Sequence, residues 1–307
     1  MTIGILGLGR MGAQIARRLH TKGFDVVAWN RGPEPREEFK KFGGKVATTP
    51  EELINQLATE PRIIWLMLPS GDLLDEMIKR LALSLSRGDV IIDGGNSFYK
   101  DSQRRAEELK KRGIHFFDSG TSGGVHGEKN GFSLMVGGPK EVFAQAAPIF
   151  EALSAKPEVS PLVGPAGAGH FVKMVHNAIE YGMMEAIAEG FAVLKAGEYQ
   201  LDFSQVAGLW SRGSVVSSWL IDLAKNIFET ENLDNVAGII AHTGEGEWTI
   251  KEAKRLGVDV RVIEDSFKIR EESGDPKNQD KFSNKIVALL RKQFGGHAVT
   301  YKEQLKK

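Results

Sequence analysis

Lys173, His176, Asn177 and Glu180 lie within Gly-Pro-Ala-Gly-Ala-Gly-His-Phe-Val-Lys-Met-Val-His-Asn-Ala-Ile-Glu-Tyr, residues 164–181. At i, i+3, i+4 and i+7 they share one face of a helix. An amine and a carboxylate roughly 10 Å apart along the axis, at about 1.5 Å per residue, can flank a small substrate as base and acid. The other faces carry Val172, Met174, Val175, Ala178, Ile179, Met183, Ala186 and Ile187, and a helix apolar nearly all round is expected to be buried. Buried ionisable groups need partners, either a substrate or a structural polar network.

The elements that hold this helix follow from the rest of the chain. Its 307 residues suffice for two domains, and 40 basic against 40 acidic residues give no general attraction to nucleic acid or membrane, so an anionic substrate requires local cations. There is no cysteine, which excludes disulfides, thiol catalysis and cysteine-ligated metal. The seven histidines show no zinc-type spacing. A strand-like run starts at Ile3 and the longest apolar run is Ile63 to Leu68, so neither a signal peptide nor a membrane span is expected, and the protein reads as cytoplasmic.

Apolar strands are expected at Ile3–Leu6, Asp25–Trp29, Arg62–Leu68, Val90–Asp93, Ile114–Asp118 and Ser133–Val136. Amphipathic helices fall at Met11–Lys22, Pro50–Ala58, Asp72–Leu83, Ser102–Arg112 and Pro139–Leu153, while Gly32–Lys41 reads as a charged loop and helix start. This alternation predicts an α/β Rossmann-type fold, a doubly wound, mostly parallel sheet, over residues 1–161. The turn-rich Pro157–Pro165 stretch marks the boundary. Helical patterns at 168–195, 203–229, 247–256, 260–273 and 279–293 then predict an all-helical domain over 162–307.

The first strand runs into Gly7-Leu8-Gly9-Arg10-Met11-Gly12 and a helix, the setting in which a Gly-x-Gly-x-x-Gly turn cradles a dinucleotide pyrophosphate at the helix N-terminus. Asn30-Arg31 stands after the second strand, where NAD-specific sites supply an acid to the ribose 2′-hydroxyl. The acid is absent and a guanidinium follows, so NADP is expected, with NAD as the alternative. An alternative for Arg31 is a solvated loop residue with Glu34 close by. Leu68-Pro69-Ser70-Gly71, Asp93-Gly94-Gly95-Asn96-Ser97 and Asp118-Ser119-Gly120-Thr121-Ser122-Gly123-Gly124 are expected as three loops at the carboxyl edge of the sheet, lining a cleft between domains with the helix of residues 169–196.

Taken in order, Gly-Leu-Gly-Arg-Met-Gly, Asn-Arg, Asp-Gly-Gly-Asn-Ser, Thr-Ser-Gly-Gly and Lys-Met-Val-His-Asn-Ala-Ile-Glu-Tyr-Gly resemble the motif series of the decarboxylating 6-phosphogluconate dehydrogenases. The resemblance continues through Gly-Glu-Gly-Glu-Trp-Thr (244–249) and Arg-Lys-Gln-Phe-Gly-Gly-His (291–297), and the short helical half makes this look like the short form. It implies that Lys173 takes the proton of the 3-hydroxyl as hydride leaves C3, and that Glu180 protonates C1 after CO₂ is lost. Leu68, Pro69 and Asn96 would join the glycine turn around the cofactor. Asn96, Ser122, Gly123, Gly124, His176 and Asn177 would hold the sugar acid, and Tyr181, Arg270, Arg291 and His297 its phosphate. No metal is implied.

In that family the C-terminal arginine and histidine reach into a neighbouring subunit's site, so a homodimer or homotetramer is expected. Two departures qualify the phosphate site. Thr243 stands where long members carry a lysine, leaving an unphosphorylated aldonic acid as an alternative substrate, and Arg270 sits in Lys-Ile-Arg-Glu-Glu, which also reads as a solvated helix face. Two rival functions are a β-hydroxyacid dehydrogenase for a small acid, with Glu180 and Arg291 structural, and a non-catalytic dinucleotide sensor, against which the Lys173 and Glu180 pair argues.

Overall fold

Burial at every position makes Thr2–Leu6 (β1) an interior strand of a sheet covered on both faces. The computed structural model describes residues 1–242 and 244–306. The sheet continues with Asp25–Trp29 (β2), Lys45–Val46 (β3), Ile63–Leu66 (β4), Val90–Asp93 (β5), His115–Ser122 (β6), Ser133–Gly137 (β7) and Leu162–Gly164 (β8). Its order is β3-β2-β1-β4-β5-β6-β7-β8, parallel throughout except for the antiparallel β6–β7 pair. Crossovers are Arg10–Thr21 (α1), Pro33–Lys41 (α2), Pro50–Asn55 (α3), Asp72–Ala82 (α4) and Tyr99–Lys110 (α5), followed by a short turn, Gly127–Asn130 (α6), and Phe143–Leu153 (α7).

The period-two alternation of the strands divides the core. Ile3, Ile5, Val26, Trp65 and Ile92 pack on one face, while Leu6, Val27, Ile64 and Ile91 pack on the other. Strand order reverses around β1, whose neighbours are β2 and β4, and such a switch point opens a ligand crevice at the carboxyl ends of the strands.

From Ala168 onward the chain is helical: Ala168–Ala196 (α8), Phe203–Trp210 (α9), Trp219–Thr230 (α10), Glu245–Leu256 (α11), Arg261–Glu272 (α12) and Phe282–Gly295 (α13), the second unit beginning within α8. Met184, Ala188, Phe191, Ile221, Ile227 and Leu290 are among the side chains of its core. Among the described residues no helix is long and apolar enough to cross a membrane.

Several expectations change. The turn-rich stretch at 157–165 contains β8, paired with β7, and contacts divide the chain into Met1–Lys173 and Met174–Lys307, inside α8. The strand expected to stop at Asp118 runs on to Ser122, since β7 supplies antiparallel partners from Asp118↔Gly137 to Ser122↔Ser133. The single helix expected over 203–229 is two, interrupted where Gly213 takes φ +76° and Ser218 caps α10 by accepting from Ile221 N–H. Pro33–Lys41 is fully helical, with Pro33 at its first turn. The helix expected to be buried all round leaves Val172, Ile179, Met183 and Val193 exposed along one side, because α8 turns only its Met174, Ala178, Tyr181, Met184 and Ala188 side inward.

Candidate active site

In the first unit, Gly7 adopts φ +98°, and a Cβ there would collide with the Met67 carbonyl. Only glycine turns the chain from β1 into α1 at this point. A Cβ on Gly9 would meet nothing within 4 Å, so the backbone face that a pyrophosphate approaches is open. Gly9 caps α1 without a side-chain bond, leaving the helix N-terminus without a side-chain acceptor there, and Arg10 and Met11 open the helix. These residues fit a dinucleotide, with phosphate on the α1 N-terminus.

Asn30 braces this turn. Its Oδ1 accepts from Leu8 N–H at 3.0 Å and its Nδ2 donates to the Gly32 carbonyl at 3.2 Å, so its amide serves the two loops. Arg31 is exposed at the bend after it, while Arg36 donates to the Ala47 carbonyl at 3.3 Å. Leu68 is half-buried and Pro69 exposed beyond β4. The loop after β5 is built around buried Asp93, which accepts from Gly95 N–H at 3.1 Å, Ser97 Oγ at 2.7 Å and Arg105 Nη1 at 3.2 Å. That bracing leaves Asn96 exposed at the loop tip.

Asp118 anchors α8. Its carboxylate accepts from Gly167 N–H at 2.6 Å and His170 N–H at 2.7 Å, satisfying amides just before and within the first turn of the helix. His170 Nδ1 pairs with Ser102 Oγ at 2.7 Å. Burial pushes the Asp118 carboxyl up, while His170 and the two amides pull it back. The sequence places Asp118 at a strand end and carries no local sign of this role, because its partners are about fifty residues away.

Lys173 follows one turn beyond the capped end and is 9% exposed. Its stem runs against Gly120 of β6, where a Cβ would stand 2.8 Å from Lys173 Cγ, so glycine makes room for the lysine. Ser122, Gly123 and Gly124 are half-buried at the end of β6.

In the second unit α8 continues with His176 and Asn177, paired Nδ1 to Oδ1 at 3.1 Å, and half-buried Glu180. Tyr181 is buried, and the Arg270 guanidinium lies over its ring at 3.2 Å. Arg270 is therefore a core residue of α12, because its helix turns Ser266, Phe267 and Arg270 inward while Lys268, Glu271 and Glu272 stay exposed. Its Nε is 3.9 Å from Glu185 Oε1, and none of its three guanidinium nitrogens has a hydrogen-bond partner among the described residues. Burial lowers Arg270 to about 10 against the pull of Tyr181 and the carboxylates, and the Arg291 charge lowers it further. Burial likewise lowers Arg291, which Tyr181, Glu180 and Glu245 pull back up.

Arg291, on α13, is buried in its own chain's helical unit, within reach of the charges of Tyr181, Glu180 and Glu245. The reason is that α13 is a core helix, with Ile286, Val287, Leu289 and Leu290 fully buried. His297 folds back past Gly296 and meets Phe294 edge-on at 6.2 Å. Thr243 lies outside the described residues. Glu185 was not anticipated; at i+4 from Tyr181 it lies on the same face, which was the available signal.

The chain is similar to known proteins along nearly its whole length. Residues 2–164 match the NAD binding domain of 6-phosphogluconate dehydrogenase and residues 169–307 the 6-phosphogluconate dehydrogenase C-terminal domain. The chain is 39% identical to the NAD(+)-dependent, decarboxylating 6-phosphogluconate dehydrogenase of Haloferax volcanii, over 99% of this chain and all of that one. It is 40% identical to the NADP(+)-dependent enzyme of Bacillus subtilis, over 86% of this chain but 59% of the longer protein. Plasmodium falciparum 6-phosphogluconate dehydrogenase superposes with a TM-score of 0.80 at 31% identity, over 94% of this chain and 70% of that one.

Proposed function

The chain belongs to the 6-phosphogluconate dehydrogenase family, and on that premise we propose that it oxidatively decarboxylates 6-phosphogluconate to ribulose 5-phosphate and CO₂, using NADP. The observation that carries the choice of a phosphorylated substrate is the pair of buried arginines, Arg270 and Arg291, around Tyr181, the residue next to Glu180. Two like charges desolvated together call for a dianion, and the unbonded guanidinium of Arg270 offers it a fork of donors.

A bound nicotinamide supplies the hydride acceptor. Lys173, neutral when substrate arrives, takes the proton of the 3-hydroxyl as C3 is oxidised. The resulting β-keto acid loses CO₂, the bonding pair passing to the carbonyl, whose oxygen the protonated Lys173 stabilises by a hydrogen bond. Glu180 then delivers a proton to C1 of the enediol. Ser122, Gly123, Gly124, Asn96, His176 and Asn177 orient the hydroxyls and carboxylate.

Purified protein given 6-phosphogluconate and NADP is expected to form reduced cofactor and CO₂ in equal amounts. Reduced cofactor without CO₂ would overturn the decarboxylating reading in favour of a simple β-hydroxyacid dehydrogenase. A second reading has its own observation: Glu185 beside Arg270 and Glu245 near Arg291 offset the arginine charges, which suits an unphosphorylated aldonic acid. Faster turnover of gluconate than of its 6-phosphate would select it.

For the cofactor, Arg31 is the exposed cation at the bend and Arg36 is engaged with the Ala47 carbonyl. Arg31→Ala is therefore expected to weaken NADP by roughly 1.5–3 kcal/mol, the value of a charge-assisted contact, and to leave NAD nearly unchanged. Equal losses in KM for both cofactors would refute recognition of the 2′-phosphate by this residue.

A further inference from the structure

Glu185 is a buried carboxylate for which the chemistry above has no use. Its side chain is 5% exposed and that of Arg270 is fully buried, yet the two stand 3.9 Å apart, and neither carboxylate oxygen has a hydrogen-bond partner among the described residues. A buried arginine and carboxylate that serve only each other close to a short, forked contact, since desolvation otherwise outweighs their attraction. Here the guanidinium plane is held by the Tyr181 ring instead.

The charged groups that act on Glu185 are Glu189 on its own helix and Arg270 on α12, and Arg270 in turn is faced by Tyr181 and Glu180. Beyond Arg270 stand Arg291 on α13 and Glu245 on α11. Against the two guanidiniums stand the carboxylates of Glu185, Glu189, Glu180 and Glu245, so the cluster has no spare positive charge and an incoming dianion adds to the negative side.

We propose that Glu185 is a proton-linked counter-ion of this pocket, holding the Arg270 charge when no anion is bound and taking up one proton from solvent when a phosphate dianion arrives. The inference rests on reading the arginines as the phosphate pocket. Burial already lifts the Glu185 carboxyl to about 7, with Glu189 raising it and Arg270 opposing. A dianion nearby lifts it further. The sign follows: below pH about 7 the group is protonated with or without ligand, and above it binding must draw a proton, so dianion affinity falls as pH rises. An unphosphorylated sugar acid, placing no charge there, is spared.

The test is titration calorimetry of the full chain at pH 8 in two buffers of different ionisation enthalpy, with sulfate and, separately, 6-phosphogluconate. Sulfate carries no titrating proton in this range. Wild type is expected to take up close to one proton per anion, as is Glu245→Gln, while Glu185→Gln takes up none and binds about tenfold more tightly at this pH. Absence of uptake in wild type, or equal uptake in Glu185→Gln, overturns the proposal, as does failure of both anions to bind wild type. If sulfate binds with the expected uptake but 6-phosphogluconate is not turned over, the functional reading falls and the counter-ion stands. Should Glu185→Gln not fold, the wild-type sulfate affinity between pH 7 and 9 decides: a marked fall supports the linkage and a flat profile refutes it.

Discussion

Lys173→Met is expected to lower kcat by a factor of about 10³ or more while leaving cofactor binding intact, because methionine keeps the length of the stem against Gly120 and removes only the amine. The loss is large because the same nitrogen acts twice, first accepting the hydroxyl proton and then holding the oxygen on which charge collects as CO₂ departs. Steady-state rates and a nucleotide titration of the variant check both halves. Retention of more than about a tenth of wild-type kcat would remove Lys173 from the chemistry, whereas loss of cofactor binding as well would point to a distorted fold.

Arg291→Ala is expected to raise KM for 6-phosphogluconate by at least about thirtyfold, since a buried charge that meets substrate is worth about 2–5 kcal/mol, with a smaller effect on gluconate. Because Arg291 lies in the same helical unit as Tyr181, Glu180 and Arg270 of its own chain, mixing Lys173→Met with Arg291→Ala subunits is expected to restore no activity. Every site in a mixed assembly then lacks either the lysine or the arginine. Activity recovered after demonstrated subunit exchange would mean that a neighbour's Arg291 completes the site, the arrangement that the resemblance to the long enzymes implied.

What was legible in the sequence follows the range of the forces involved. The glycine turn and α1 were legible because Gly7, Gly9 and Gly12 act within six residues of one another. The polar face of α8 was legible because helical spacing is local. Strand β8 was not, being three residues long and held only by β7. The extension of β6 through Ser119, Gly120 and Thr121 looks like a turn by composition, and only the pairing with β7 makes it a strand. The break between α9 and α10 hides behind Val215 and Val216, which continue an apolar pattern while being exposed. Arg270 illustrates the limit from the other side: its neighbours in sequence describe a solvated face, and its burial is decided by Tyr181 and Glu185, some ninety residues earlier.

The capped, continuous helix that carries both Lys173 and Glu180 acts as a ruler between the proposed base and acid. Their separation is seven helical residues, roughly 10 Å, and does not depend on any loop closing. Point substitutions on the exposed side at Val172, Ile179 or Met183 leave that measure unchanged. A one-residue insertion or deletion between 173 and 180 preserves every functional group yet turns Glu180 by about 100° away from the lysine's face. This segment of the chain is therefore free to drift in composition and fixed in length.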